Sequence, residues 1–404
     1  MVAGNTRETG CARRARSSEL HYRNLWFMTV AIYEPVSVPR SESEPQADVR
    51  NLRYKTLRTL LWAVVLLAAA ETTVRLRAYF RHGSNAPVAN IYESDELLGR
   101  RPRPGATLDG KYRQLSINQW GFRGADFPAD KPAGTIRVAV AGDSTSFGME
   151  AASDETVWPA RTMALLNEQA GAAQRYDIIN GGVPGYTLPT STLQLTERIA
   201  SFDPDVVVIY QVGTDLAAHA RREFSPPSSK ADTNQLLGRF AQRNSLLVNL
   251  VRVNTAAFRS RRALESRHDR LDQRGIEEYR QRLIHLLDLC AERDWRVILC
   301  TCPRSFGDPD APTDQYTLAT SALANNPMLS LKCLNDAYER YNQEIRSVAR
   351  EWGITLVDLD AIVPRRVDYF SDAVHLTDAG HELVGRAVAE AIVGFSAERE
   401  ADGL

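Results

Sequence analysis

"IRVAVAGDSTSFG", residues 136–148, sets an apolar run, Val138 to Ala141, against an abrupt Gly142-Asp143-Ser144. A short, continuous apolar run reads as a strand buried on both faces. Two endings fit such a strand. One is a plain polar turn in which Asp143 caps the helix that follows. The other is a nucleophile held at the carboxyl end of a parallel sheet, and the rest of the chain has to decide between them.

Working outward, apolar runs alternate with amphipathic stretches of helical length. The runs at 138–141, 176–180, 205–210, 296–301 and 354–359 predict five strands. The stretches at 156–169, 190–201, 275–293, 335–351 and 378–393 predict helices. A strand–helix repeat implies an α/β fold: a parallel sheet with right-handed crossovers and helices on both faces. Two segments interrupt it. Residues 217–274 carry "NSLLVNLVRVNTAAF", read as helical, followed by a charged stretch, and residues 303–333 read as a long loop. Insertions of this length are usually lids or binding loops.

Ser144 then falls at the carboxyl edge, where open parallel sheets bind ligands. A serine hydroxyl needs a base to become a nucleophile. "SDAVHLTDAGH" follows the fifth strand and sets Asp372 three residues before His375. In a helical turn those positions share a face, so Asp372 would accept from Nδ1 of His375 and leave Nε2 for Ser144. A solvated helix start would read the same way. His381 lies inside the last predicted helix, and His219 is the other base near this edge. "NGGVPGYT" follows the second strand, and Gly185 suits a sharp turn that directs a backbone N–H inward. "QVGTDL" follows the third strand and crowds Gly213, Thr214 and Asp215 at the same edge. Position raises these fragments above coincidence: four polar clusters follow strands one, two, three and five on one edge.

Composition narrows the classes. The 404 residues are 44% apolar with net charge −1, which gives no electrostatic case for a nucleic-acid partner. Five cysteines and seven histidines show no metal-ligand spacing. Residues 1–50 are rich in Arg, Ser, Glu and Pro without a period and read as disordered. Between Arg58 and Arg75 lie sixteen residues with one charge, Glu71. As a helix they span about 24 Å, short of the roughly 30 Å hydrocarbon core. Ten Lys or Arg in residues 1–58 favour a cytoplasmic amino terminus with the bulk exported. A single-pass signal anchor is the expectation. A signal cleaved near Ala68-Ala69-Ala70 and a buried or surface helix of a soluble protein stand beside it, and an internal start at Met28 would make both export readings easier. The organisation expected is a polar tail 1–55, an anchor 56–76, an extended lead-in 77–135 and a catalytic domain 136–396.

With these residues in place, the chain resembles the SGNH hydrolases, also called GDSL esterases and lipases, over residues 93–395. "VAVAGDSTSFG" is similar to the block that carries that family's nucleophile, which implies Ser144. "IINGGVPGYT" is similar to the second block, which implies Gly185 as an oxyanion donor. "SDAVHLTDAGH" is similar to the last, which implies Asp372 and His375. "INQWGFRG" resembles the lead-in of a membrane-associated bacterial subgroup. The third block departs: Gly-x-Asn-Asp becomes "VGTD", with Val212 at the glycine and Thr214 at the asparagine. A hydroxyl reaches less far than an amide, so Thr214 is a candidate short oxyanion donor beside the N–H groups of Ser144 and Gly185. The resemblance implies a three-layer α/β/α sandwich with a five-stranded parallel sheet (flavodoxin-like). It also implies a serine esterase acting on a small-molecule or glycan ester with no cofactor. An O-acyltransferase acting on an exported glycan with the same triad, and a non-catalytic binding protein on the same fold, are the alternatives. Aromatics for a sugar site are few in the insertions (Phe224, Phe240, Phe258, Phe306 and Tyr316).

Overall fold

Val206–Tyr210 is buried at every position, as a strand covered on both sides must be. It lies near the middle of a five-stranded sheet in the computed structural model of the chain. Residues 46–82, 91–109, 114–170, 174–224, 245–248, 250–251, 254–255, 267–307 and 314–401 are described. Residues 1–45 of the polar tail, Met28, Phe240 and Phe258 lie outside them, while residues 46–55, expected in the unstructured tail, are helical. The chain divides into two units, Met1–Leu61 and Trp62–Leu404. In the first, the described residues are helical.

The lead-in supplies four short strands, β1 (Tyr92–Asp95), β2 (Gly99–Pro102), β3 (Thr107–Asp109) and β4 (Gln114–Ser116). They pair as two antiparallel ribbons, β1 with β2 and β3 with β4. The main sheet holds β5 (Thr135–Gly142), β6 (Arg175–Asn180), β7 (Val206–Tyr210), β8 (Arg296–Cys300) and β9 (Thr355–Val357). Its order is β6-β5-β7-β8-β9, and every pairing is parallel. The chain runs from β5 to β6 on one side and then crosses to β7 on the other. The carboxyl end of β5 is therefore the topological switch point, where a crevice opens.

Helix α1 spans Gln46–His82, α2 Ser144–Phe147, α3 Trp158–Ala170, α4 Leu188–Gln194, α5 Gly213–Phe224, α6 Arg274–Ala291, α7 Leu331–Trp352 and α8 Asp378–Ala401. Helices α3 and α8 pack together on one face; α4 and α7 each pack on α6 on the other. This is the expected three-layer sandwich. The residue pattern differs in detail. The predicted helix 190–201 ends as α4 at Gln194 and continues as a π-turn, Leu195–Ile199, and a 3₁₀ turn, Ala200–Phe202. One extra residue per turn does not register in a 3.6-residue period. Helix α5 begins directly after β7, so His219 is not on an edge loop. It is buried in a helix with Nδ1 3.1 Å from the Tyr341 hydroxyl.

Helix α1 outruns the sixteen-residue apolar run. Its segment Leu52–Phe80, 29 residues, is long and apolar enough to cross a membrane by length and composition. None of its most apolar stretch is buried in the protein.

Candidate active site

The site is built from three loops at the carboxyl edge. Gly142 ends β5 opposite Tyr210 of β7. A Cβ at Gly142 would lie 2.2 Å from Ser146 Oγ and 2.5 Å from Tyr210 O, so only glycine lets the chain turn there. Asp143 then caps α2, accepting at Oδ1 from Thr145 N (3.0 Å) and Thr145 Oγ1 (2.9 Å). Cap and edge serine were rival readings of this stretch, and the structure has both features. Ser144 is the first residue of α2, and its N–H has no acceptor among the described residues. First-turn amides have no partner within their own helix.

The loop that bears Asp372 and His375 follows β9. The expected helical turn is absent: residues 371–374 form bends. Asp372 instead folds an Asx turn, its Oδ1 accepting from Val374 N and His375 N, both at 2.9 Å. This brings Oδ2 to 2.8 Å from His375 Nδ1, and His375 Nε2 lies 2.8 Å from Ser144 Oγ. The loop is pinned between these residues. Ser305 N donates to Ala373 O (2.9 Å), and Ala373 N donates to Ser321 Oγ (3.1 Å). Ser305 belongs to the 303–333 segment, which the buried Arg304–Asp360 ion pair (3.0 Å) fastens. Sequence reading missed these supports, because nothing local distinguishes a pinning serine from a surface one.

Electrostatics separate the histidines. Burial disfavours charge on His375, but the hydrogen bond and charge of Asp372 outweigh it and raise its pKa above the ordinary 6.5. Burial likewise opposes ionisation of Asp372, yet His375 and the backbone donors hold it down at about 2. His219 is pushed down to about 4 and His381 to about 3, both chiefly by burial. His381 Nδ1 accepts from Trp158 N (3.3 Å), and the ring is fully buried. Of these three rings, His375 alone is drawn toward charge, and it alone touches Ser144.

Gly185 lies in the loop after β6, which Val183 N fastens to Gly142 O (3.1 Å). Its φ is +83°, the left-handed region that glycine tolerates. Its N–H has no acceptor among the described residues. The Arg100 guanidinium, from β2, donates to the neighbouring Pro184 O.

Thr214 meets a geometry the sequence did not suggest. Its N–H (3.1 Å) and its hydroxyl (3.0 Å) both donate to Asp143 Oδ2. A hydroxyl has one proton, so in this arrangement none is left for an oxyanion. Asp143, 2% exposed, thus receives two donors from Thr145 in α2 and two from Thr214 in the first turn of α5. Asp215, the next residue, is buried under the loop. Its oxygens accept from Leu188 N, and burial lifts its pKa to about 7.

Behind Ser144, α2 rests on the lead-in. Phe147 packs with Ile91, Leu108, Leu115 and Ile117 in a small apolar cluster. Arg123, of the "GFRG" stretch, has a fully buried side chain. It pairs with Asp154 (2.8 Å) and donates to Phe147 O (3.0 Å) and Gly148 O at the end of α2.

A family model described as GDSL-like lipase/acylhydrolase matches residues 140–383. No curated protein sequence matches the chain. Solved structures of similar fold include an acetyl xylan esterase at 17% identity, covering 64% of this chain and 100% of its own, with TM-score 0.40. A lipolytic protein of the G-D-S-L family from Desulfitobacterium hafniense matches at 13% identity, 63% and 99% coverage and TM-score 0.38. A GDSL-like lipase from Bacteroides thetaiotaomicron matches at 15% identity, 64% and 88% coverage and TM-score 0.36.

Proposed function

The chain belongs to the GDSL-like lipase/acylhydrolase family, enzymes that hydrolyse esters, and from that premise we propose that Ser144, His375 and Asp372 cleave a carboxylic ester through an acyl-enzyme. His375 Nε2 takes the Ser144 proton as Oγ attacks the carbonyl carbon. Asp372 keeps the remaining proton on Nδ1 and stabilises the imidazolium. The N–H groups of Ser144 and Gly185 receive the negative charge of the tetrahedral intermediate. His375 then protonates the leaving alcohol. Water enters and gives its proton to the same nitrogen as its oxygen attacks the acyl carbon; the acyl–Oγ bond then breaks, Ser144 Oγ takes that proton back, and the acid leaves. Thr214 is left out of the oxyanion hole because its proton is held by Asp143.

The observation that carries this reading is the unbroken chain Ser144 Oγ–His375 Nε2, His375 Nδ1–Asp372 Oδ2, each link 2.8 Å. Hydrolysis is preferred to transfer onto a sugar on one further ground. Of the three insertion aromatics described, Phe306 is buried against Tyr338 and Phe224 stacks on His268, which leaves Tyr316, 49% exposed, as the single ring there with a face for a sugar. We further read α1 as a single-pass anchor over 56–76, with the lead-in at 77–135 and the catalytic domain at 136–396 on the extracytoplasmic side.

The test is labelling of the full-length chain by a fluorophosphonate. Wild type reacts and Ser144→Ala does not. Absence of labelling in both would leave the binding-protein alternative in its place.

A further inference from the structure

Glu71 is the one charge in the apolar run of α1, and a carboxylate at membrane depth is costly without partners. It has four. Ser245 Oγ donates at 2.7 Å, Leu246 N at 3.0 Å and Leu247 N at 2.9 Å, and Arg75 Nε at 2.7 Å. The backbone donors are the first amides of a helical turn that begins at Leu246, and such amides attract negative charge. The carboxylate therefore fastens the 217–274 insertion to α1 at the end of its apolar run.

The fastened segment is apolar where it faces out. Val248, Leu250 and Val251 are 36%, 39% and 53% exposed. On α1, Val65, Leu66 and Leu67, four to six residues before Glu71, are likewise 47–65% exposed. Water would oppose such a surface on both elements at one junction. The sequence from 245 to 262 adds four arginines (Arg252, Arg259, Arg261 and Arg262) and no acidic residue. Apolar and basic residues together are the composition of a segment that lies in a lipid headgroup layer.

We propose that Leu246, Leu247, Val248, Leu250 and Val251 form a second membrane contact, seated in the headgroup region of the bilayer that α1 crosses and held there by Glu71. The inference rests on the anchor reading of α1. It also bears on the catalytic edge. The insertion leaves and returns where Asp272 N donates to Glu223 (3.0 Å), and Tyr279 OH donates to Gln211 O (2.6 Å) at the end of β7. The root of the membrane contact is thus tied through α6 to the end of β7, the strand paired with the one that precedes Ser144.

The test uses the full-length chain with Cys11→Ser, in vesicles of phosphatidylcholine and phosphatidylglycerol. Cys290, Cys300, Cys302 and Cys333 are buried and stay unlabelled. An environment-sensitive fluorophore is placed singly by Val251→Cys, Leu66→Cys or Val367→Cys; Val367 is an exposed position of the catalytic domain. We expect blue-shifted emission at 251, quenched by a headgroup-level nitroxide lipid, and water-like emission at 367. Glu71→Ala should return 251 to water while 66 stays quenched by lipid. A water-like 251 beside a lipid-quenched 66 overturns the inference and leaves the anchor. Water-like emission at both removes the anchor and the inference with it.

Discussion

Thr214→Val separates a brace from an oxyanion donor. Valine keeps the shape of threonine, so no cavity forms, and the backbone N–H still reaches Asp143. What is removed is one of four donors to a carboxylate that is 2% exposed. A hydrogen bond to a charged group contributes about 1.5–3 kcal/mol. With three donors remaining, the low end applies, about 1.5 kcal/mol, which lowers Tm by about 3–6 °C in a domain of this size. The effect on kcat/KM should be smaller than about tenfold, the equivalent of roughly 1.4 kcal/mol, because the lost contact is not to the substrate. Thr214→Ser should restore both. Thermal unfolding and turnover of a small activated ester are measured on the same preparations. An unchanged Tm with kcat lowered about a hundredfold, the usual result of losing an oxyanion donor, would refute the brace and return the hydroxyl to the reaction.

His375 must be neutral to accept the Ser144 proton, and Asp372 holds its pKa above 6.5, so kcat/KM should rise with pH through that raised value. Asp372→Asn removes the cause: the acid limb should move to lower pH while the plateau falls by about 10⁴; an unmoved limb would mean that another group titrates. Arg123→Ala takes from Asp154 its buried cationic partner, leaving it the Ser116 donors, and removes a donor from Phe147 O and Gly148 O. It should cost about 3–5 kcal/mol in urea unfolding, as for one half of a buried ion pair, with Arg123→Lys recovering part; a loss below about 1 kcal/mol would mean that the lead-in does not fasten α2. Gly142→Ala drives a Cβ into Tyr210 O across a paired strand that cannot retreat, and should cost about 1–3 kcal/mol or more; wild-type stability would show that β5 and β7 can part there.

The five strands were legible because burial on both faces leaves continuous apolar runs. One buried exception, Arg137 in β5, is 0% exposed and donates to Ala129 O, Phe202 O and Pro128 O, which no local pattern announces. Strand β9 is shorter than its apolar run. Asp358 leaves the ladder to accept from Arg346 and Thr301, and a strand ends where its polar side chain finds partners elsewhere. The spacing of Asp372 and His375 was readable, while the Asx turn that realises it was not, since three residues can share a face by more than one backbone path. Helix α5 was hidden because Thr214 and Asp215 read as edge-loop polars. Their partners, Asp143 and Leu188 N, are 71 and 27 residues away, and pairing over such distances leaves no trace in one sequence.

The lead-in wrapped behind α2 sets an order on assembly. Residues 91–127 are made before the main sheet, yet Arg123 finds Asp154 31 residues later and bridges to Asn180 on β6. Ile91, Leu108, Leu115 and Ile117 stay uncovered until Phe147 arrives to close their cluster. As the chain emerges, the lead-in must wait for β5 and β6 before it can dock. The short helix bearing Ser144 then gains its rear support from sequence that preceded it. A chain trimmed to the strand–helix repeat would keep the sheet and lose that support, so the serine's rigidity is supplied from upstream of the repeat that presents it.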